Sequence, residues 1–289
     1  MGILLKVAPT LTVVEGSQRE LEFTTADFER VRTLMHRHAG IALGEAKRQM
    51  VYARLARRLR ALGLRRFSDY LALLDAEPGG PEWQAFVNAL TTNLTAFFRE
   101  RHHFELLAQH ARARRGRDAP YRVWSAAAST GEEAYSAAMT LAEVYGAASA
   151  RFEVAGSDID TQVLQEAARA IYPTDRLENV ALPLKKAYCL RGRGRQAGCV
   201  RIQPLLAERV RFFRFNLCSE RWPKLGPFDA IFCRNVMIYF DADTQRSVLL
   251  RLAECLAPDG LLFLGHSENI QHLGTPFVAA GQTAYRLPD

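Results

Sequence analysis

The 289-residue sequence has no Cys-x-x-Cys pair, no Gly-x-Gly-x-x-Gly loop, no internal repeat and no apolar run long enough to cross a bilayer. Each absence removes a class of function. The five cysteines, Cys189, Cys199, Cys218, Cys233 and Cys255, are odd in number and widely scattered. They read as reduced thiols rather than a disulfide framework or a zinc site, and no metal is expected. The longest apolar runs, Asp229-Ala-Ile-Phe-Cys233 and Gly260-Leu-Leu-Phe-Leu264, are strand-sized. The opening residues carry Lys6 inside a short apolar stretch with no charged segment before it, so no signal peptide is evident. A cytoplasmic protein without direct membrane insertion is expected.

What is present is a globular balance, 48% hydrophobic and 24% charged residues, which argues against disorder. Residues 1–19 carry little pattern and read as a mobile tail. Over residues 20–90 the apolar spacing is helical throughout. Thr24-Thr-Ala-Asp27 reads as a capping box ahead of Phe28, Val31, Leu34 and Met35. A second helix is predicted over roughly Glu45 to Leu62 and a third from near Ser68. Pro78-Gly-Gly-Pro81 is a break before a fourth stripe of Trp83, Phe86, Val87 and Leu90. From about residue 120 to 289 short strands alternate with helices, the signature of an α/β doubly wound parallel sheet. Strands are predicted over Arg122 to Ala127, Arg151 to Ser157, Phe228 to Cys233 and Leu261 to Leu264. The intervening helices are Glu132 to Tyr145, Thr161 to Ile171 and Thr244 to Leu256. Between about residues 175 and 212 the alternation lapses, and Arg191-Gly-Arg-Gly-Arg-Gln-Ala-Gly198 reads as the turn of an inserted hairpin, a small β-subdomain.

Ligands of such a sheet bind at the carboxyl ends of its strands. Ala126-Ala-Ala-Ser-Thr-Gly-Glu-Glu133 is a tight turn whose acidic residues would repel a pyrophosphate. Glu132 or Glu133 suits a cationic or hydroxyl-bearing group, or simply caps the helix dipole. Asp158 follows the second strand, where a carboxylate can accept hydrogen bonds from a ribose diol; Asp160 reads as the cap of the next helix. Arg234, Asn235 and Tyr239 reach the mouth from the third segment. A net charge of +7, from 38 basic against 31 acidic side chains, fits nucleic acid or an acidic protein equally. Residues 47–66, however, hold eight basic residues and no acidic one. Val51, Leu55, Leu59 and Leu62 form the buried stripe there, and Arg54, Arg57 and Arg60 step around the solvent side. No aromatic residue interleaves with these arginines as a single-stranded nucleic acid would require.

Five segments in order resemble the CheR-type chemoreceptor glutamate methyltransferases: Thr91-Thr-Asn-Leu-Thr-Ala-Phe-Phe-Arg-Glu100, Val123-Trp-Ser-Ala-Ala-Ala-Ser-Thr-Gly-Glu-Glu133, Ser157-Asp-Ile-Asp160, Phe228-Asp-Ala-Ile-Phe-Cys-Arg-Asn-Val-Met-Ile-Tyr-Phe240 and Gly265-His-Ser-Glu-Asn269. The resemblance runs from about Thr24 to Leu287. It implies a doubly wound, Rossmann-like S-adenosylmethionine-dependent methyltransferase domain behind an all-α N-terminal domain. It also implies that residues 91–119 form a linker and helix covering the cofactor. By this resemblance Asn93, Thr95, Arg99, Glu133, Asp158, Asn216, Leu217, Arg234 and Asn235 hold S-adenosylmethionine, with S-adenosylhomocysteine as product. Arg234 and Tyr239 meet the incoming glutamate. The partners implied are the acidic cytoplasmic helices of chemoreceptors, read by Arg54, Arg57 and Arg60. A receptor's C-terminal peptide would dock on the β-subdomain beside Gly192, Gly194 and Gly198. A monomer that binds no nucleic acid is expected. The rivals are a nucleic-acid methyltransferase and a non-catalytic receptor-binding protein.

Overall fold

The computed structural model describes residues 21–288, so the expected tail at 1–19 lies outside the described residues. Four helices come first: α1 (Thr25–Ala39), α2 (Arg48–Ala61), α3 (Phe67–Ala76) and α4 (Pro81–Leu90). Their boundaries follow local chemistry. Thr24 and Asp27 form the reciprocal capping box, Gly40 takes the left-handed conformation that ends α1, and Pro81 opens α4 at its first position. One apolar stripe from each helix meets in a shared core around Phe28, Met35, Val51, Leu55, Tyr70 and Phe86. Burying each such side chain contributes about 1.5–3 kcal/mol. Leu62 departs from its predicted place in the stripe. It is the residue after the last turn of α2 and is 40% exposed.

The rest of the described chain runs α5 (His102–Ala113), β1 (Tyr121–Ser125), α6 (Glu132–Tyr145), β2 (Phe152–Asp158), α7 (Thr161–Arg169) and β3 (Ile171–Pro173). Then come α8 (Leu182–Tyr188), β4 (Cys189–Arg191), β5 (Cys199–Ile202), α9 (Pro204–Ala207) and β6 (Val210–Arg214). It closes with β7 (Phe228–Phe232), α10 (Ala242–Cys255), β8 (Leu256–Phe263), β9 (Val278–Gly281) and β10 (Ala284–Arg286). Seven strands form one sheet in the order β6-β2-β1-β7-β8-β10-β9, the first five parallel and the last two antiparallel. Helices α5 and α6 cover one face and α10 the other, each over its own apolar cluster. Helix α6 is buried almost all round, which its small Ala134, Ala137, Ala138 and Ala142 permit.

Two expectations need correction. The insert is a three-stranded antiparallel sheet, β3-β5-β4, rather than a lone hairpin, and it begins at Ile171. Residues 210–214, assigned in part to the insert, are β6 and pair with β2 at the edge of the main sheet. The main sheet has its switch point at β1, whose neighbours β2 and β7 are reached in opposite directions. A crevice therefore opens at the carboxyl ends of these strands.

Candidate functional site

The crevice is a cavity lined by both the helical domain and the main sheet, together with the segment that joins them. Its floor comes from the turns after the central strands, through Ala126, Ser129, Asp158 and Asn235. Phe215 and Leu217, after β6, supply an apolar wall, and residues 91–96 with Arg99 cross over it. The N-terminal helical domain closes the other side with Ile41, Leu43, Lys47 and Met50. The turn after β1 can pass this close to the floor because Gly131 adopts φ +94°. A Cβ there would press on Ala167 and on the Tyr172 hydroxyl.

Asp158 is buried, and each of its carboxylate oxygens already accepts one backbone N–H, from Ser129 at 2.9 Å and from Asp160 at 3.0 Å. Burial nonetheless pushes its pKa above the ordinary carboxylate value, against the pull of those N–H groups. Further donors from a ligand diol would stabilise its charge. Asp160 caps α7 through Oδ1 and with Oδ2 accepts from Thr91 at 2.7 Å and Asn93 at 2.8 Å. One carboxylate thus starts a helix and anchors the covering linker.

At the other end of the cavity stands a buried charge cluster. Arg234, 5% exposed, pairs with Glu133 at 2.9 Å and Glu100 at 3.2 Å and donates to the Arg99 carbonyl at 2.7 Å. Ser125 donates to the remaining Glu133 oxygen at 2.8 Å. Burial raises the Glu133 pKa, with Arg234 opposing. Burial pushes Glu100 the same way, but Arg234 and then His266 outweigh it and hold that carboxyl below its ordinary value. His103 is driven down to about 3, first by burial and then by Arg234, and so is neutral. Its Nδ1 lies 3.8 Å from Glu100 Oε2, and neither atom has a hydrogen-bond partner. Glu268 pins the turn after β7, accepting from the backbone N–H of Asn235, Met237 and Gly265. Asn235 is thereby held at φ +58°.

All nine residues assigned to the cofactor, and Tyr239, line this one cavity. Several are already committed to protein partners. Asn93 binds Asp160, Asn216 donates to the His38 carbonyl at 2.6 Å, and both terminal nitrogens of Arg234 have acceptors while its buried Nε has none. Tyr239 is partly exposed at the rim. Of the 91–119 segment, residues 91–96 and Arg99 border the cavity, whereas α5 packs on the sheet beside α6. The basic helix is less bare than residues 47–66 read in isolation. Arg48, Arg58 and Arg66 find Glu45, Glu82 and Asp69 outside that window, and Arg54 donates to the Thr91 carbonyl at 2.6 Å. Arg57 and Arg60 are exposed and have no carboxylate partner among the described residues. In the β4–β5 turn, Gly194 and Gly198 have φ +57° and +87° with open space around them, whereas a Cβ on Gly192 would run into the Gln196 carbonyl. Sequence reasoning missed Glu100, His103, Asp160's second role and Glu268. Glu100 and Glu268 sit inside the quoted motifs, but their partners are distant in sequence.

Comparison with known proteins agrees with this layout. Residues 26–91 match the CheR methyltransferase, all-alpha domain, and residues 93–286 the CheR methyltransferase, SAM binding domain. The chain is 54% identical over 283 residues to a chemotaxis protein methyltransferase of Escherichia coli, covering 98% of each chain. It is 52% identical over 278 residues to that of Salmonella typhimurium, covering 96% and 95%. To chemotaxis protein methyltransferase 2 of Pseudomonas aeruginosa it is 52% identical over 276 residues, covering 96% and 98%.

Proposed function

The chain belongs to the CheR methyltransferase family, and on that premise we propose that it transfers the methyl group of S-adenosylmethionine to glutamate side chains of chemoreceptors. The observation that carries this reading is one cavity that joins a ribose-seeking carboxylate, Asp158, to a rim beside Tyr239 and a basic helix. When bound, the donor supplies an electrophilic methyl group. Asp158 would hold its ribose hydroxyls, and Phe215 and Leu217 offer an apolar surface for its base. Asn93, Thr95 and Arg99 would cover it from the linker.

The accepting glutamate, with a pKa near about 4.3, is ionised at neutral pH and requires no general base. The chain's task is therefore alignment. Tyr239, partly exposed where it borders the cavity, would orient the arriving carboxylate. Arg234 lies deeper and already answers to Glu133, Glu100 and Arg99. Paired with two carboxylates, it would order the charge cluster at that end of the cavity rather than grip the substrate tightly, a grip that would favour the ground state. Arg57 and Arg60 would meet the acidic receptor helix. An extended receptor tail would add to the free edge of β4, near Arg191, Arg193 and Arg195.

The test is incubation with radiolabelled donor and either receptor cytoplasmic fragments or tRNA. Base-labile label on the receptor alone supports the reading. Label on RNA would replace it with the nucleic-acid alternative, and the absence of label on both would leave a binding protein.

A further inference from the structure

We propose that the inserted β-subdomain is part of the framework of the cofactor site, with Arg176 and Tyr172 as positioning residues for the linker that covers the cavity. The inference rests on the methyl-donor reading above and assigns the insert a role separate from tail docking. It starts from the linker, which has little structure of its own. Residues 91–101 form no helix or strand, and Phe98 and Glu100 carry φ of +52° and +56°, a region non-glycine residues seldom occupy. Such a conformation persists only when its surroundings impose it.

Asp160 fixes one end of the linker through Thr91 and Asn93, and Ser136 and Arg234 fix the other through the Phe98 N–H and the Arg99 carbonyl. The middle is held from the subdomain. Arg176, in the short turn after β3, donates to the Thr95 carbonyl at 3.4 Å. It also reaches Glu132 at 3.3 Å, a carboxylate buried at the start of α6. Thr95 is one of the residues lining the cavity. Two residues on, Phe97 is fully buried with its ring edge-on to Tyr172, centroids 5.0 Å apart at 81°.

Tyr172 belongs to β3 and also donates its hydroxyl to the Thr130 carbonyl at 2.8 Å. Its oxygen lies where a Cβ on Gly131 would press. One tyrosine thus braces the covering linker through its ring and the β1–α6 turn through its hydroxyl. Arg176 repeats the pattern, with Thr95 on the linker and Glu132 on the turn. Both halves of the donor's cradle are therefore referred to one short segment, β3 and the turn that follows it. The opposite strand of the subdomain, β4, carries the edge available to a peptide, so bracing and docking use different sides of one small sheet.

The experiment compares Arg176→Ala, Arg176→Lys and Tyr172→Phe with the unaltered protein. It measures donor and product affinity by calorimetry, KM and kcat with receptor fragments, tail-peptide affinity, and thermal unfolding. Arg176→Ala and Tyr172→Phe each lose a hydrogen bond that holds the cradle. Each should raise the donor KM and the product Kd about fivefold. The fall in kcat should be smaller, and tail-peptide affinity should not change. Arg176→Lys, which keeps the charge beside Glu132, should recover part of the loss. Unchanged donor affinity in both variants, or a lowered melting temperature with no change in KM, would overturn the proposal. Failure of the unaltered protein to bind the donor would instead overturn the methyl-donor reading on which it stands.

Discussion

Replacing Arg234 by methionine tests the charge cluster through its own electrostatics. Methionine keeps much of the volume and removes the charge. Glu133, buried, would retain only the Ser125 hydroxyl, and Glu100 would lose its nearest cation. Stranding a buried charge costs about 3–5 kcal/mol, a large part of the roughly 5–15 kcal/mol that holds a domain together. The loss should depend on pH, and its sign follows from Glu133. Burial already raises that pKa against the opposition of Arg234, so without the arginine it must rise further. A carboxyl whose folded pKa lies above its unfolded value destabilises the native state as pH rises through that interval. The variant should therefore lose most stability at about pH 8 and regain part of it at about pH 5. Urea unfolding at the two pH values, with matched m-values, measures this directly. A loss under about 1 kcal/mol, or the same loss at both pH values, would refute the assignment of Arg234 as the partner of a buried ionised Glu133.

Four further outcomes follow from the same geometry. Asp158→Ala should weaken donor binding by about 1.5–3 kcal/mol with the fold retained, as calorimetry and circular dichroism would report. Arg57→Glu with Arg60→Glu should raise the receptor KM, and the unaltered protein's KM should worsen with salt, because exposed charges are screened. Arg54→Glu should instead destabilise the protein, since its guanidinium holds the Thr91 carbonyl after α4. Asp241, which caps α10 and meets His36 of α1 at 2.6 Å, is held down to about 2 by the Thr244 N–H and then by His36. The stability it adds should be complete above the ordinary carboxylate range and lost as pH falls towards 2, an acid-unfolding midpoint that Asp241→Ala would shift.

The sequence made legible what depends on near neighbours. The Thr24–Asp27 capping box, the cap at Asp160, the four apolar stripes and the buried central strands are all local patterns, and each element lies within a few residues of its expected place. The strands that were missed are short or lie at edges. β3 is three residues long and follows α7 through Ala170 in a left-handed conformation, so no alternation could announce it. β9 and β10 pair antiparallel at the far end of the sheet, where β9 is mostly exposed and the buried Ala284 and Tyr285 of β10 make too short a run to show alternation. Charge behaved differently. Residues 47–66 contain no acid, yet Arg58 is neutralised by Glu82, 24 positions away, which a window on α2 cannot contain. Arg234 likewise meets Glu133 across 101 positions. Which arginine faces solvent is decided by packing, and only Arg57 and Arg60 of the predicted three are left open to a partner.

Where the methyl group goes decides between glutamate transfer and its alternatives. Purified protein, S-adenosylmethionine and a chemoreceptor cytoplasmic fragment would be combined, and the receptor peptides mapped by mass spectrometry. Methyl esters are expected on glutamates of the receptor's acidic helices. These should be lost on mild base treatment and sharply reduced with Tyr239→Phe. Methylation confined to lysine, to backbone nitrogen or to added RNA would contradict it.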